Sequence, residues 1–105
     1  MFSGGDYEEV ARWLRNFVAS HAKRENLRVE PEVDSEGSRE GQSYGVRLRL
    51  GRSVMPPRSE PPLELAFADV ARNRGSLAWC AELAGRVRAL ARGLSGTPAA
   101  QSRTA

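Results

Sequence analysis

The residue types that carry most enzyme chemistry are scarce in this chain. Its 105 residues include one cysteine, one histidine and one lysine. The lone Cys80 excludes an intramolecular disulfide and is typical of a protein from a reducing compartment. A second histidine or cysteine at metal-ligand spacing is also missing, so the sequence predicts no metal site. It contains no glycine-rich phosphate-binding or dinucleotide-binding motif either, and we expect no cofactor.

One enzymatic alternative depends on Cys80 and His21, each of which lies on the apolar stripe of its own predicted helix. Facing each other across a helix interface, they would form a nucleophile and its base. No third residue that would orient the histidine is identifiable, and free cysteines are commonly buried and inert. We therefore expect both residues to belong to the core, assign no catalytic residue and predict a protein that is not an enzyme.

Long hydrophobic runs are absent as well. No stretch approaches the roughly 20 apolar residues that a membrane span needs, and residues 1–6 do not resemble a secretory signal peptide. We expect a cytoplasmic protein without a membrane partner. With 40% hydrophobic and 28% charged residues, the composition is that of an ordinary globular domain.

Three segments in the middle of the chain alternate between apolar and polar residues, as half-buried strands do. In the central segment, 44–50, Tyr44, Val46, Leu48 and Leu50 share one side, and Arg47 and Arg49 share the other. The first segment, 27–34, places Leu27, Val29 and Val33 inward, and its Pro31 predicts an edge strand or a bulge. The third segment, 63–69, places Leu63, Leu65 and Phe67 inward.

Helical patterns occupy both ends of the chain. Apolar residues recur at helical spacing from Tyr7 to about Arg24, after a capping-box-like start at Asp6, and again from Leu77 to about Leu94, after a candidate N-cap at Ser76. The predicted fold class is a small α+β domain of order α-β-β-β-α, with a three-stranded antiparallel meander and both helices on one face. We predict a flexible N-terminus at 1–5, the domain at 6–94 and a disordered tail at 95–105.

Charge is distributed unevenly along the chain, whose net charge is +3. Residues 1–45 hold six basic and nine acidic side chains, whereas 46–105 hold ten arginines and four acidic side chains. A basic surface around the last helix would attract a polyanion. RNA or DNA binding is therefore the alternative function, and its candidate contacts are Arg72, Arg74, Arg86, Arg88 and Arg92.

The order of elements is similar to the topology of double-stranded-RNA-binding domains. Such a resemblance would imply a histidine in the loop between the first two strands and a lysine cluster at the start of the second helix. Here that loop, 36–42, lacks histidine, and Arg72 and Arg74 precede the helix instead of lysines. Arg47 and Arg49 are expected to pair with acidic residues of the flanking strands, Glu30, Glu32 and Glu64.

Trp13 and Trp79 lie at the edges of their helical stripes. Tryptophan at such a position completes the core or contacts a partner, and it is the residue type most enriched at binding hot spots. The proline-rich segment 55–62 is a stiff connector or a ligand for a proline-binding groove. The preferred function is therefore a non-enzymatic interaction module that binds a protein partner or itself as a homodimer, with Trp13 and Trp79 as candidate contacts.

Overall fold

The computed structural model describes the backbone of residues 4–104 and the side chains of residues 7–94. The predicted flexible N-terminus and disordered tail lie outside the residues whose side chains are described. The elements, in chain order, are helix α1 Gly4–Ala22, strand β1 Glu30–Asp34, a short 3-10 helix Gly37–Arg39, strands β2 Ser43–Leu50, β3 Ser53–Met55 and β4 Leu63–Ala66, and helices α2 Phe67–Asn73 and α3 Leu77–Thr104.

Strand β2 is the centre of an antiparallel sheet, which confirms the predicted meander. Strand β1 pairs along one side of β2, with Val33 opposite Val46. Strands β3 and β4 lie end to end along the other side. Strand β3 is additional to the prediction: Gly51, with a φ of 62°, opens a two-residue turn that folds the chain back onto the end of β2.

The register explains why β1 tolerates a proline. The backbone N–H of Phe67 donates to the carbonyl oxygen of Gln42, and hydrogen-bonded pairs alternate from that point along the β4 side of β2. On the opposite side of β2 the bonded pairs are then Asp34–Gly45, Glu32–Arg47 and Glu30–Arg49. Pro31 falls between bonded pairs, so its nitrogen faces the open edge and the sheet loses no hydrogen bond.

The core lies between the inner face of β2 and the helices. On the inner face of β2, Tyr44, Val46 and Leu48 are fully buried and Leu50 is partly buried; they meet buried apolar residues from one stripe of α1 and one stripe of α3. The largest members are Tyr44, Val46 and Leu48 from the sheet, Val10, Leu14 and Val18 from α1, and Leu83 and Val87 from α3. The apolar residues of the helices and of the central strand therefore pack in one shared core, as predicted.

A cluster of three aromatic rings joins α1, β2 and α2. The Tyr7 and Tyr44 rings stack with their centroids 4.7 Å apart, and Phe67 contacts both rings edge-on. The Tyr44 hydroxyl donates to the Tyr7 carbonyl oxygen at 2.8 Å. Burial raises the pKa of both phenols, which is expected because a charged phenolate would be poorly solvated there.

The inward placement predicted for Leu27 is wrong, because 78% of this residue is exposed. The chain turns after α1: the backbone N–H of Arg28 donates to the side-chain oxygen of Asn26, and the N–H of Val29 donates to the Asn26 carbonyl oxygen. Leu27 lies within this turn and points to solvent. Strand pairing starts only at Glu30.

The predicted third strand ends earlier than its alternation suggested. Strand β4 stops at Ala66, and the chain continues as α2 from Phe67. Asp69 in the first turn favours this helix, since a carboxylate complements the positive end of the helix dipole. The predicted N-cap of the last helix is confirmed: the Ser76 hydroxyl oxygen accepts from the Trp79 N–H at 3.3 Å.

Candidate interaction surfaces

The outer face of the sheet confirms only part of the predicted charge ladder. The Arg49 Nε lies 3.4 Å from Glu32, as expected for opposite charges on neighbouring strands. Arg47 pairs with no carboxylate of residues 7–94, whose side chains the structure describes. One of its terminal nitrogens lies 3.0 Å from each of three carbonyl oxygens, those of Pro56, Pro57 and Glu60. Arg47 thus holds the proline-rich loop over the sheet.

The other expected ladder members pair elsewhere. Glu30 lies 3.4 Å from Lys23, at the end of α1. Glu64 accepts two hydrogen bonds from Arg39, at 2.9 and 3.0 Å, and one from Ser43. The Arg39 guanidinium lowers the pKa of Glu64, and the carboxylate in turn raises the pKa of Arg39.

Sequence reasoning missed Arg39, because it lies in the polar loop between the first two strands, where no periodic pattern indicates a partner. A third donor of its guanidinium contacts Asp34 at 3.0 Å, so Arg39 joins β1, β4 and the loop. The available signal was a single arginine among acidic residues in a loop beside acidic strands.

A basin of about 550 Å³ opens on this outer face and extends to Arg15 of α1, the helix that packs against the inner face. Its lining combines four arginines, two carboxylates and a few small or apolar residues. These are Arg15, Arg39, Arg47, Arg58, Glu32, Asp34, Pro31, Val33, Gly45 and Pro62. On the outer face, the basin lies between the proline-rich loop and the loop that carries Arg39.

Two of the five arginines predicted to contact nucleic acid have an internal partner. Glu25, in the turn after α1, accepts from Arg88 at 2.8 Å and from Arg92 at 3.1 Å. These contacts join the end of α1 to the side of α3. The hydrogen bond from Arg88 is the main cause that lowers the pKa of Glu25.

The remaining three arginines lie elsewhere. At about 100° per residue, Arg86 lies on the opposite side of α3 from Arg88. There it lines an apolar groove of about 310 Å³ with Pro56, Leu63, Ala89 and Leu90. Arg72 is in the last turn of α2 and Arg74 directly follows it. The five candidates therefore do not form one continuous basic patch, and their binding to nucleic acid stays a prediction.

The two tryptophans lie on different surfaces. Trp79 packs against the core and, nine residues before Arg88, is on the side of α3 that faces away from the Arg88–Glu25 contact. Trp13 is partly buried on α1 and stacks on Phe17, with ring centroids 5.0 Å apart. The structure does not bring the two candidate contacts together.

Trp13 belongs to a row of side chains spaced four residues apart on α1, which we call the α1 ridge. The row runs through Glu9, Trp13, Phe17 and His21, and it ends beside Arg24, whose charge acts on His21. The Phe17 and His21 rings are 4.5 Å apart. Glu9 and Arg24 are exposed, and neither forms an ion pair with any described residue. The ridge therefore presents aromatic surface between two unpaired opposite charges.

The structure does not assemble a Cys–His pair. The Cys80 thiol lies 3.5 Å from the Arg74 carbonyl oxygen, near the start of α3. His21 lies near Arg88, which is eight residues, or roughly 12 Å, further along α3 from Cys80.

Burial of the imidazole, together with the charges of Arg24 and Arg88, lowers the pKa of His21. Its Nδ1 is buried without a hydrogen-bond partner. This is the environment of a neutral, packed histidine rather than of a base poised beside a nucleophile.

Within the part of the chain that the structure describes, no group of acidic, histidine or cysteine side chains is arranged to hold a metal ion. None of the described helices combines the length and the apolar character that crossing a membrane requires. Comparison with protein-family models, curated proteins and solved structures finds no match to this chain.

Proposed function

We propose that this protein is a non-enzymatic interaction module that self-associates as a homodimer through the α1 ridge. The observation that carries the proposal is the stacked, partly exposed pair Trp13–Phe17 between Glu9 and Arg24, two exposed charges without an ion-pair partner among residues 7–94. Aromatic anchors with a charged rim are characteristic of protein interfaces.

The order of these residues along the ridge suits a second copy. In an antiparallel two-fold pair of α1 helices whose axis passes between Asn16 and Phe17, Glu9 of each copy lies near the turn after α1 of the other copy, and this turn carries Arg24. Trp13 and Phe17 then lie near the centre of the contact, flanked by two identical ion pairs. An interface of this kind is self-complementary, as two-fold symmetry requires.

The edges of the sheet are poorer surfaces for self-association. The open edge of β1 carries Pro31 in place of an N–H donor and is flanked by acidic side chains, two features that discourage pairing with another strand. Strand β4 has four residues, follows Pro61 and Pro62, and continues directly into α2. These constraints leave the helical face as the better candidate.

Charge reversal on the full chain tests the proposal. Glu9→Arg would place two arginines opposite each other, and Arg24→Glu would place two glutamates opposite each other. We expect either change to weaken the dimer by at least about tenfold, because like charges are opposed at both ends of the contact. The double variant Glu9→Arg/Arg24→Glu restores both ion pairs, so sedimentation at micromolar concentration should show the dimer again.

Glu8→Arg is the matched control, since it makes the same charge change on the adjacent, exposed residue away from the ridge. It should leave the sedimentation of the protein unchanged. A monomeric wild-type protein would disprove the dimer, and a double variant that stays monomeric while folded would disprove the pairing of Glu9 with Arg24.

We do not extend the proposal to nucleic acid. Arg88 and Arg92 pair with Glu25, and Arg86 lies on the other side of α3. These arginines therefore offer no single basic surface that could follow a phosphate backbone.

A further inference from the structure

The basin on the outer face of the sheet holds more positive charge than its own carboxylates neutralise. Arg39, Arg47, Arg49 and Arg58 belong to the strands and loops of the outer face, and Arg15 reaches the basin from α1. Three of them pair with Glu32, Asp34 or Glu64 at 2.9 to 3.4 Å. Arg15 and Arg47 have no carboxylate partner among the described residues.

We propose that this basin binds a small molecule through an oxyanion group, a carboxylate or a phosphate, held between Arg15 and Arg47. Guanidinium groups bind such oxygens with two parallel hydrogen bonds. The ligand would supply the negative charge that the basin lacks.

Arg47 is prepared for this role by its surroundings. Contacts with the carbonyl oxygens of Pro56, Pro57 and Glu60 fix one terminal nitrogen of its guanidinium. Its other nitrogens contact no acceptor within the described chain. A donor that is already held in place loses little conformational entropy when an anion binds. The affinity for an anion is therefore higher than it would be for an unrestrained arginine.

The shape of the basin favours a small molecule over an extended polymer. Its volume of about 550 Å³ lies within the 300–1,000 Å³ that is typical of small-molecule sites. Pro62 on the outer face, and Pro31 and Val33 of the edge strand β1, contribute apolar lining, and Gly45 has no side chain that would fill the basin. A ligand with a short organic body and one anionic group matches these walls and the two arginines.

The basin is separate from the proposed dimer surface. Arg15 follows Trp13 by two residues, which places the two side chains about 200° apart around α1. Failure of either proposal would therefore leave the other in place.

Isothermal titration calorimetry of the full chain tests the site with two probes, inorganic phosphate and citrate, each against chloride at equal ionic strength. Saturable one-to-one binding of either probe is expected, and the probe that binds better identifies the source of the oxyanion. Arg15→Gln should weaken binding by about tenfold, the usual worth of one charged hydrogen bond.

Arg12→Gln is the matched control, because Arg12 is exposed on α1 but does not line the basin. It should bind both probes as tightly as the wild type. The proposal is overturned if neither probe shows saturable binding, or if Arg12→Gln weakens binding as much as Arg15→Gln does. The second result would show a general effect of positive charge.

Discussion

Gly45 is the residue on which the outer face of the sheet depends. It is buried at the centre of β2, and a Cβ atom there would lie 2.8 Å from the Arg39 Nε and 2.9 Å from the Pro62 Cγ. The absence of a side chain lets Arg39 cross the sheet to reach Glu64 and lets the proline-rich loop approach. One glycine therefore makes room for both walls of the basin.

We expect Gly45→Ala to destabilise the fold by about 1–3 kcal/mol, the usual cost of overpacking a filled site. Urea denaturation measures this loss. Gly85→Ala is a control on α3, where an added Cβ meets no atom within 4 Å. That change should stabilise the protein by about 0.5–1 kcal/mol, because alanine is the better helix former. If Gly45→Ala left the free energy of unfolding unchanged, that result would contradict the close packing of Arg39 and Pro62 around Gly45.

For single residues, the sequence predicts whether a side chain is buried or exposed better than it predicts which residue that side chain contacts. The alternation of 44–50 correctly separates Tyr44, Val46 and Leu48 from Arg47 and Arg49, because burial follows a local periodicity. It does not reveal that Arg47 binds backbone carbonyl oxygens or that Glu64 pairs with Arg39. Those partners come from loops, whose paths depend on contacts between residues far apart in the chain.

Among the elements, α1 and α3 are joined at one end by Glu25. Its carboxylate accepts from two arginines of α3, and 17% of its side chain is exposed. The pKa of Glu25 in the folded protein lies below its ordinary value of 4.5. The contact therefore stabilises the fold fully above about pH 4.5, and that contribution is lost as the pH falls through the lower, folded-state pKa.

Glu25→Gln removes this pH-dependent contribution. We expect the variant to be less stable than the wild type near neutral pH and the difference to shrink steadily below about pH 4.5. Urea denaturation along a pH series measures it. The control is Glu82→Gln, which changes an exposed carboxylate of α3 that forms no ion pair with any described residue. Its free energy of unfolding should follow that of the wild type at every pH. A Glu25→Gln difference that does not vary with pH would refute the role of the carboxylate charge.

The elements that the sequence predicts best are those with the longest regular pattern. The helical repeats of 7–24 and 77–94 each extend over several turns; α1 covers the first as far as Ala22, and α3 covers the whole of the second. Strand β3 has three residues and no alternation to detect, so only its pairing with β2 reveals it. Helix α2 was read as the end of a strand because Leu63, Leu65 and Phe67 continue a period of two across the boundary.

For the whole molecule, the α+β class and the antiparallel meander follow from the sequence, because every predicted element has one apolar face that only a shared core can cover. The α1 ridge and the basin cannot be predicted from the sequence in the same way. The α1 ridge requires the side of α1 that α3 leaves exposed, and the basin requires two loops to fold over one sheet face. Both depend on packing geometry rather than on a local pattern.

Self-association should also appear in the thermal stability of the whole molecule. If folded chains associate and unfolded chains do not, each tenfold rise in concentration adds about 1.4 kcal/mol per dimer, so Tm rises with concentration by a few degrees. Wild-type protein and the Glu9→Arg/Arg24→Glu variant should both show this rise in calorimetric scans. Glu9→Arg alone should show a constant Tm over the concentrations at which it sediments as a monomer, because a monomer's unfolding equilibrium does not depend on concentration. A constant Tm for the wild type would argue against the dimer, and an equal rise in Glu9→Arg would show association through a surface other than the α1 ridge.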